Sequence, residues 1–125
     1  MHEYSLTQSI IETVERHAAA AAENNESFTV RKINLVIGES SGIMGESIRL
    51  YFDIIAKGSN CENAVLEIES VKSMLRCKVC GALFERKPFS FECECGGEGA
   101  PTEIGREFYI KNIEVEMKEC KPNLK

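Results

Sequence analysis

The sequence predicts an α+β fold in which a three-stranded antiparallel sheet with two helices carries a zinc-ribbon-like four-cysteine subdomain inserted before the last strand. Two segments repeat apolar residues at helical spacing, and three others alternate apolar and polar residues as strands do. Four cysteines in two close pairs separate the second of these strands from the third. We therefore expect residues 1–74 and 106–119 to form an α/β domain, residues 75–105 a metal-binding domain, and residues 120–125 a tail.

Length, charge and cysteine content narrow the class of protein. A chain of 125 residues with 43% hydrophobic content can bury one small core. The net charge of −5 and the lack of a Lys/Arg cluster argue against nucleic acid as a partner, and no apolar run has the length of a membrane span. Six cysteines without a secretory signal pattern indicate a cytoplasmic protein, because thiols in a reducing compartment bind metals more often than they form disulfides.

The first helix is predicted from about Ser5 to Glu23. Ser5 and Gln8 have the spacing of a capping box. Apolar residues then follow at helical intervals, namely Leu6, Ile10, Ile11, Val14, Ala18 and Ala21. His17 falls on the polar side, where we expect a solvated side chain rather than a ligand.

Three residues at the start of the sequence offer several metal donors. Met1, His2 and Glu3 together supply an α-amine, an amide nitrogen, an imidazole and a carboxylate. Nitrogen-rich sets of this kind suit Ni(II) or Cu(II), and an added oxygen makes an octahedral Ni(II) site feasible. The following helix N-terminus would favour the ionised Glu3 carboxylate. A frayed terminus without any ligand is the competing interpretation.

The remaining elements follow from periodicity. Alternating residues predict strands over residues 28–37, from residue 64 to about 74, and over residues 108–117. A second helix is expected over residues 46–57, with Gly58 as its C-cap. Its apolar residues are so dense that we expect a buried helix.

The four-cysteine segment predicts a metal site. Cys77 and Cys80 have C-x-x-C spacing, whereas Cys93 and Cys95 form a shorter C-x-C pair. Four thiolates bind Zn²⁺ tetrahedrally, and such a closed site is structural. Disulfide bonding or thioredoxin-like redox chemistry is the alternative, although a redox motif needs one C-x-x-C beside a βαβ unit. Cys61 or Cys120 could replace Cys95, and three aromatic residues are expected beside the metal, namely Phe84, Phe89 and Phe91.

Several short motifs in one order resemble the HypA/HybF family of hydrogenase maturation proteins. Besides the four cysteines, they are Met1-His2-Glu3-Tyr4-Ser5, Val36-Ile37-Gly38-Glu39, Ser41-Gly42, Gly105-Arg106-Glu107 and Ile113-Glu114-Val115-Glu116. The resemblance implies a nickel metallochaperone rather than an enzyme, with nickel at Met1, His2 and Glu3 in residues 1–74. It also implies a structural zinc at Cys77, Cys80, Cys93 and Cys95.

The same resemblance implies the partners. They are the GTPase HypB and the large-subunit precursor of [NiFe]-hydrogenase, with urease accessory proteins as further partners in some bacteria. The chain would be a monomer or a homodimer. Two features depart from the family: the second cysteine pair is short, and Met44 stands where some members have an acidic nickel ligand, with Glu46 out of register.

A zinc-ribbon adaptor for protein or nucleic acid, without a nickel role, is the alternative function. The acidic charge balance weighs against its nucleic-acid form.

Overall fold

The computed structural model describes residues 2–22 and 26–119. In chain order the elements are α1 (Glu3–Ala21), β1 (Glu26–Gly38), α2 (Gly45–Ile55), β2 (Val65–Val71), β3 (Met74–Cys77), β4 (Leu83–Glu85), β5 (Gly99–Pro101) and β6 (Phe108–Glu119). The first sheet has the strand order β2-β1-β6 and the second the order β4-β3-β5, which together with the two helices confirms the predicted fold class. No helix in the described part of the chain is long and apolar enough to cross a membrane.

The described chain divides into two compact units. The first contains the residues up to Leu35, Met44–Ile68 and those from Ile110 onward, and the second contains Val36–Ile43 and Glu69–Tyr109. The first unit holds both helices. The second holds the four cysteines and the small sheet in which β3 pairs antiparallel with β4 and β5.

Both helices of the first unit bury one apolar face. From α1 the core receives Ile10, Ile11, Val14 and Ala18, from α2 Ile48 and Phe52, and from β1 Val30, Ile33 and Leu35. The rings of Tyr4 and Tyr51 meet edge to face at 5.4 Å between centroids. This burial, rather than helix propensity alone, stabilises helices of such length in water.

The start of α1 differs from the prediction. The helix begins at Glu3, two residues before Ser5, and His2 is its N-cap residue without a side-chain cap bond. The first turn is instead held by the Leu6 N–H, which donates to the His2 carbonyl at 3.0 Å, and by the Thr7 hydroxyl, which donates to the Glu3 carbonyl at 2.6 Å. The predicted capping box at Ser5 is therefore wrong.

Helix α2 is less buried than its composition suggests. Leu50 is 58% exposed and Ile54 is 54% exposed, whereas Ile48 and Phe52 are buried. The expectation of a buried helix is therefore wrong for the face that carries Leu50 and Ile54, because apolar density does not specify how many faces of a helix are covered.

A close backbone contact organises the second unit. A Cβ added to Gly38 would overlap the Gly105 carbonyl, and one added to Gly105 would lie 2.6 Å from the Ser73 Cα. The Ser73 N–H donates to the Glu39 carboxylate at 2.8 Å, and this bond is the main reason that the pKa of Glu39 is lowered. Only glycine permits the chain to approach so closely here.

We predict that Gly38→Ala lowers the free energy of unfolding by about 3 kcal/mol, because the methyl group must displace the Gly105 backbone. Chemical denaturation followed by circular dichroism measures the change. Gly42→Ala is the matched control, since Gly42 has φ +82° but open space around it. It should cost only about 1 kcal/mol for the left-handed conformation. Equal losses in the two variants would contradict the importance of the close contact.

Candidate metal centre

The first cysteine pair lies on a tight turn at the end of β3. The N–H groups of Val79 and Cys80 donate to the Cys77 sulfur at 3.3 and 3.4 Å. Gly81 has φ +78° and donates its N–H to the Cys77 carbonyl at 3.1 Å. The Cys77 N–H in turn donates to the Ala82 carbonyl at 2.9 Å, so the turn fixes the direction of both thiols.

The C-x-C pair forms a similar turn. Gly96 has φ +92°, and its N–H donates to the Cys93 carbonyl at 2.9 Å. The Cys93 N–H donates to the Gly97 carbonyl at 2.7 Å, and the Gly97 N–H donates to the Cys95 sulfur at 3.4 Å. The shorter spacing therefore still presents two sulfurs to one side.

The two turns bring four sulfur atoms into one cluster. The sulfurs of Cys77 and Cys95 lie 3.4 Å apart and those of Cys80 and Cys93 3.7 Å apart, and all four lie within 4.8 Å of one another. Four sulfurs bound tetrahedrally at about 2.3 Å from one zinc ion would be separated by about 3.8 Å. The arrangement therefore fits a single four-coordinate ion. Within residues 2–22 and 26–119 no other group of three or more metal-ligating side chains is placed to hold a metal.

Gly97 leaves room for this cluster. A Cβ at Gly97 would lie 2.6 Å from the Cys77 sulfur and 2.9 Å from Val79 side-chain atoms. Cys77 and Cys93 are buried, whereas Cys80 and Cys95 are exposed. The site thus has one side in the protein and one side open to water. The Gly96-Gly97 pair was the only signal in the sequence that could have indicated this contact.

The sulfurs influence one another electrostatically. Backbone N–H groups, chiefly that of Cys80, lower the pKa of Cys77 to about 6. The Gly97 N–H lowers the pKa of Cys95. The neighbouring thiols of Cys77, Cys80 and Cys93 have the opposite and larger combined effect, and the pKa of Cys95 is raised to about 12. One thiolate therefore forms readily while its neighbour keeps a proton. A bound cation would remove this conflict by stabilising all four thiolates together.

Of the other two cysteines, the structure describes only Cys61, which does not belong to the cluster. Cys61 is fully buried in the first unit, and burial raises its pKa to about 11. Cys120 lies outside the described residues. The structure groups Cys95, and not Cys61, with the other three thiols.

The aromatic residues near the cluster differ from expectation. Phe84 does pack inside the small sheet, where its ring lies against Gly99. A Cβ added to Gly99 would lie only 2.5 Å from that ring. Phe91 is 52% exposed and Phe89 is fully exposed, so the prediction that all three rings pack beside the metal is wrong.

At the other end of the chain, the described part of the N-terminal motif is accessible. His2 is exposed, and Glu3 lies in the first turn of α1. The Glu3 carboxylate accepts a hydrogen bond from the Met44 N–H at 3.3 Å, a contact over 41 residues that no sequence signal indicated. Glu46 is an exposed residue in the first turn of α2. Met1 lies outside the described residues.

The fold and the cluster define a small metal-binding protein. A catalytic zinc keeps an open coordination position, whereas four thiolates close the site. A family model described as "Hydrogenase/urease nickel incorporation, metallochaperone, hypA" matches residues 1–115. The chain belongs to this HypA family of hydrogenase maturation factors, which are metallochaperones rather than enzymes.

Individual proteins show the same relationship. The chain is 41% identical over 118 residues to "Hydrogenase maturation factor HypA" of Caldanaerobacter subterraneus, a match that covers 93% of this chain and all of the relative. The solution structure of "the Ni metallochaperone HypA from Helicobacter pylori" is 29% identical, with a TM-score of 0.58 over 91% of this chain and 97% of that one. A second HypA solution structure is 27% identical, with a TM-score of 0.64 over 93% and 97%. These similarities extend over nearly the whole chain, and the protein takes part in hydrogenase maturation.

We predict that Gly97→Ala weakens metal binding at the cluster by about tenfold or more, because the added methyl group displaces the Cys77 sulfur. Competition with a chromophoric chelator measures the affinity. Gly58→Ala, at a position with φ +80° and open space in the first unit, is the control and should leave the affinity unchanged. Equal affinities of the Gly97 variant and the wild type would show that the turn adapts without cost.

Metal binding at the cluster should strengthen as pH rises. The pKa of Cys95 is raised to about 12, so its thiol is protonated at neutral pH and must lose that proton to become a ligand. Each proton released weakens the affinity by about tenfold per unit fall in pH. Below pH 6 the Cys77 thiolate is also protonated, since its pKa is lowered only to about 6, and the dependence becomes steeper. Chelator competition between pH 5.5 and 8 tests this, and a flat profile would contradict it.

Proposed function

We propose that this protein is a nickel metallochaperone that binds Ni(II) and delivers it for [NiFe]-hydrogenase maturation. The observation that carries the proposal is the match of residues 1–115 to a family model of nickel incorporation, which includes the Met1-His2-Glu3 motif. The nickel ligands are Met1, His2 and Glu3. The ligands of a structural Zn(II) are Cys77, Cys80, Cys93 and Cys95.

Zinc suits the cluster because of its donor set and spacing. Four thiolates in tetrahedral arrangement are typical of Zn²⁺ or of iron–sulfur centres. Zinc is not redox-active, and it holds the two cysteine turns together without an open position for chemistry. In this unit, therefore, the metal is structural.

Nickel suits the N-terminal motif because its donors are nitrogen and oxygen atoms at an accessible place. The α-amine of Met1 and the amide and imidazole nitrogens of His2 can close two chelate rings, and Glu3 adds a carboxylate oxygen. The exposure of His2 leaves the ion open to ligands of a receiving protein. A metal that must be transferred is better held at such a site than inside a closed thiolate cluster.

The proposed setting is the cytoplasm. The receiving proteins are the GTPase HypB and the large-subunit precursor of [NiFe]-hydrogenase, with urease accessory proteins where urease is present. The description of the matched family, which includes urease, supports the last of these. We propose no nucleic acid and no membrane partner, and a monomer or homodimer as the working state.

Nickel titration of untagged, zinc-loaded protein by calorimetry tests the proposal. We expect one tightly bound equivalent of Ni(II) in the wild type and its loss in His2→Ala and in a variant with one residue added before Met1. Zinc content and circular dichroism should not change in either variant, because the zinc ligands are separate from the altered residues. His17→Ala is the matched control, since His17 is the only other histidine in the chain, and it should bind nickel as the wild type does.

Equal nickel binding by the wild type and the extended variant would overturn the N-terminal site. A wild type that binds no nickel would favour the zinc-ribbon adaptor instead. Loss of both metals in His2→Ala would show that the two sites depend on one another.

A further inference from the structure

The turn between Lys87 and Ser90 has an unusual residue at its tip. Lys87 and Ser90 form an antiparallel bridge, and the Ser90 N–H donates to the Lys87 carbonyl at 3.2 Å. Pro88 and Phe89 occupy the two central positions. Phe89 has φ +61°, and among the described residues other than glycine it alone has a positive φ.

This position normally favours another residue type. A proline followed by a residue with positive φ is typical of a type II turn, and glycine or asparagine is preferred at the second central position. A large aromatic residue with positive φ is an outlier that costs free energy. Glycine at position 89 would avoid this cost.

No packing inside the protein offsets the cost at Phe89. The residue has 108% of its reference surface exposed, so the ring contributes nothing to the core. Strained residues that persist in a fold cluster at functional sites, where the strain serves binding or mechanism. Because Phe89 is both strained and completely exposed, we expect its ring to contact another molecule.

The neighbouring residues extend this feature into a small surface, residues 86–91, that we call the aromatic tip. Phe91 is 52% exposed, and the Arg86 guanidinium lies 5.9 Å from its ring centroid, a cation–π distance. Lys87 is exposed beside them. The tip itself carries two positive charges, Arg86 and Lys87, and it is flanked in the sequence by the acidic residues Glu85 and Glu92. A hollow of about 590 Å³ adjoins it, and its lining is mixed in charge, since it includes Lys87 and the carboxylates of Glu85, Glu92 and Glu94.

We propose that the aromatic tip is the docking element for a protein partner of hydrogenase maturation whose surface presents an apolar pocket edged by carboxylates. Phe89 enters the pocket, and Arg86 and Lys87 face the acidic edge. The inference rests on the proposed function only in that the partner is sought among the proteins that would receive the nickel.

A protein fits these features better than other occupants do. Aromatic residues and arginine are enriched at the cores of protein interfaces. Two cations in a net acidic chain attract anionic lipid or nucleic acid weakly, because both polyanions require clusters of basic residues. A second copy carries the same net charge of −5 and is repelled at long range.

The test measures binding of zinc-loaded, full-length chain to purified HypB GTPase and to purified hydrogenase large-subunit precursor by biolayer interferometry. We expect Phe89→Gly to weaken binding to at least one of them by about tenfold or more, the size of effect that loss of an interface anchor produces. Its melting temperature should equal or exceed that of the wild type, because glycine accepts a positive φ without strain. Phe89→Trp should retain the affinity.

A charge variant tests the acidic edge of the pocket. Lys87→Glu should slow association at low salt, with a smaller effect at high salt. Lys57→Glu makes the same change in net charge at an exposed position outside the tip and should associate as the wild type does.

Three results would overturn the inference. The first is an affinity of Phe89→Gly within twofold of the wild type for both proteins. The second is no binding of the wild type to either protein. The third is an effect of the substitution only on binding to lipid or to a second copy of the chain. The last would appear as Phe89-dependent binding to phosphatidylserine vesicles or as a Phe89-dependent homodimer in sedimentation. Nickel titration of Phe89→Gly separates the two proposals, because the nickel site should be intact whichever way the docking experiment falls.

Discussion

The small sheet of the second unit depends on the mutual arrangement of four sulfur atoms, because little else between residues 74 and 101 is removed from water. Its buried side chains are few, and two of them, Cys77 and Cys93, are themselves members of the cluster. Ordering each residue costs conformational entropy that so small an apolar core cannot offset. A bound metal supplies the missing free energy and replaces repulsion among thiolates by four coordinate bonds. Metal binding at the cluster would therefore be coupled to folding in this part of the chain.

The two proposed metal sites have opposite physical requirements. A structural ion is best held by a complete set of soft ligands whose directions are fixed by backbone hydrogen bonds, as they are at the Cys77 sulfur. A transported ion must be bound and later released, and an exposed site at the start of a helix would allow both. The Glu3 carboxylate is already directed by the Met44 N–H, so part of the entropy of ordering a ligand would be lost before nickel arrives. Placing the two proposed tasks on different residues would allow the structural ion to stay while the transported ion leaves.

Periodicity predicted both helices and the strands of the first sheet, and cysteine spacing predicted the metal cluster, but neither predicted the second sheet, whose strands of three or four residues are too short to show a period. Neither pattern shows which faces of an element are covered by its neighbours, or how the local turns are built. Leu50 and Ile54 follow helical spacing but are exposed, since a pattern does not reveal whether a neighbour exists to cover it. Ser5 has the residue type of a cap, yet α1 starts earlier because Thr7 and His2 provide the first bonds. The bond between Glu3 and Met44, like the exposure of Phe89, depends on tertiary geometry that no local signal contains. The cysteines were found because metal ligation demands few residue types at short spacing, whereas Gly97 matters only through what its missing side chain would touch.

The short distances within the cluster also have a consequence for how the protein must be made. The sulfurs of Cys77 and Cys95 lie 3.4 Å apart and those of Cys80 and Cys93 lie 3.7 Å apart, so each thiol has another within reach of disulfide formation. The Cys77 thiol ionises easily, so in the absence of metal it is the natural point of attack for peroxide, and an adjacent thiol can then close a disulfide. Oxidation and metal loading would therefore compete for the same thiols. A chain oxidised before metal binds would need a reductant before the cluster could take up an ion, so metal supply during synthesis would set how much working protein is obtained.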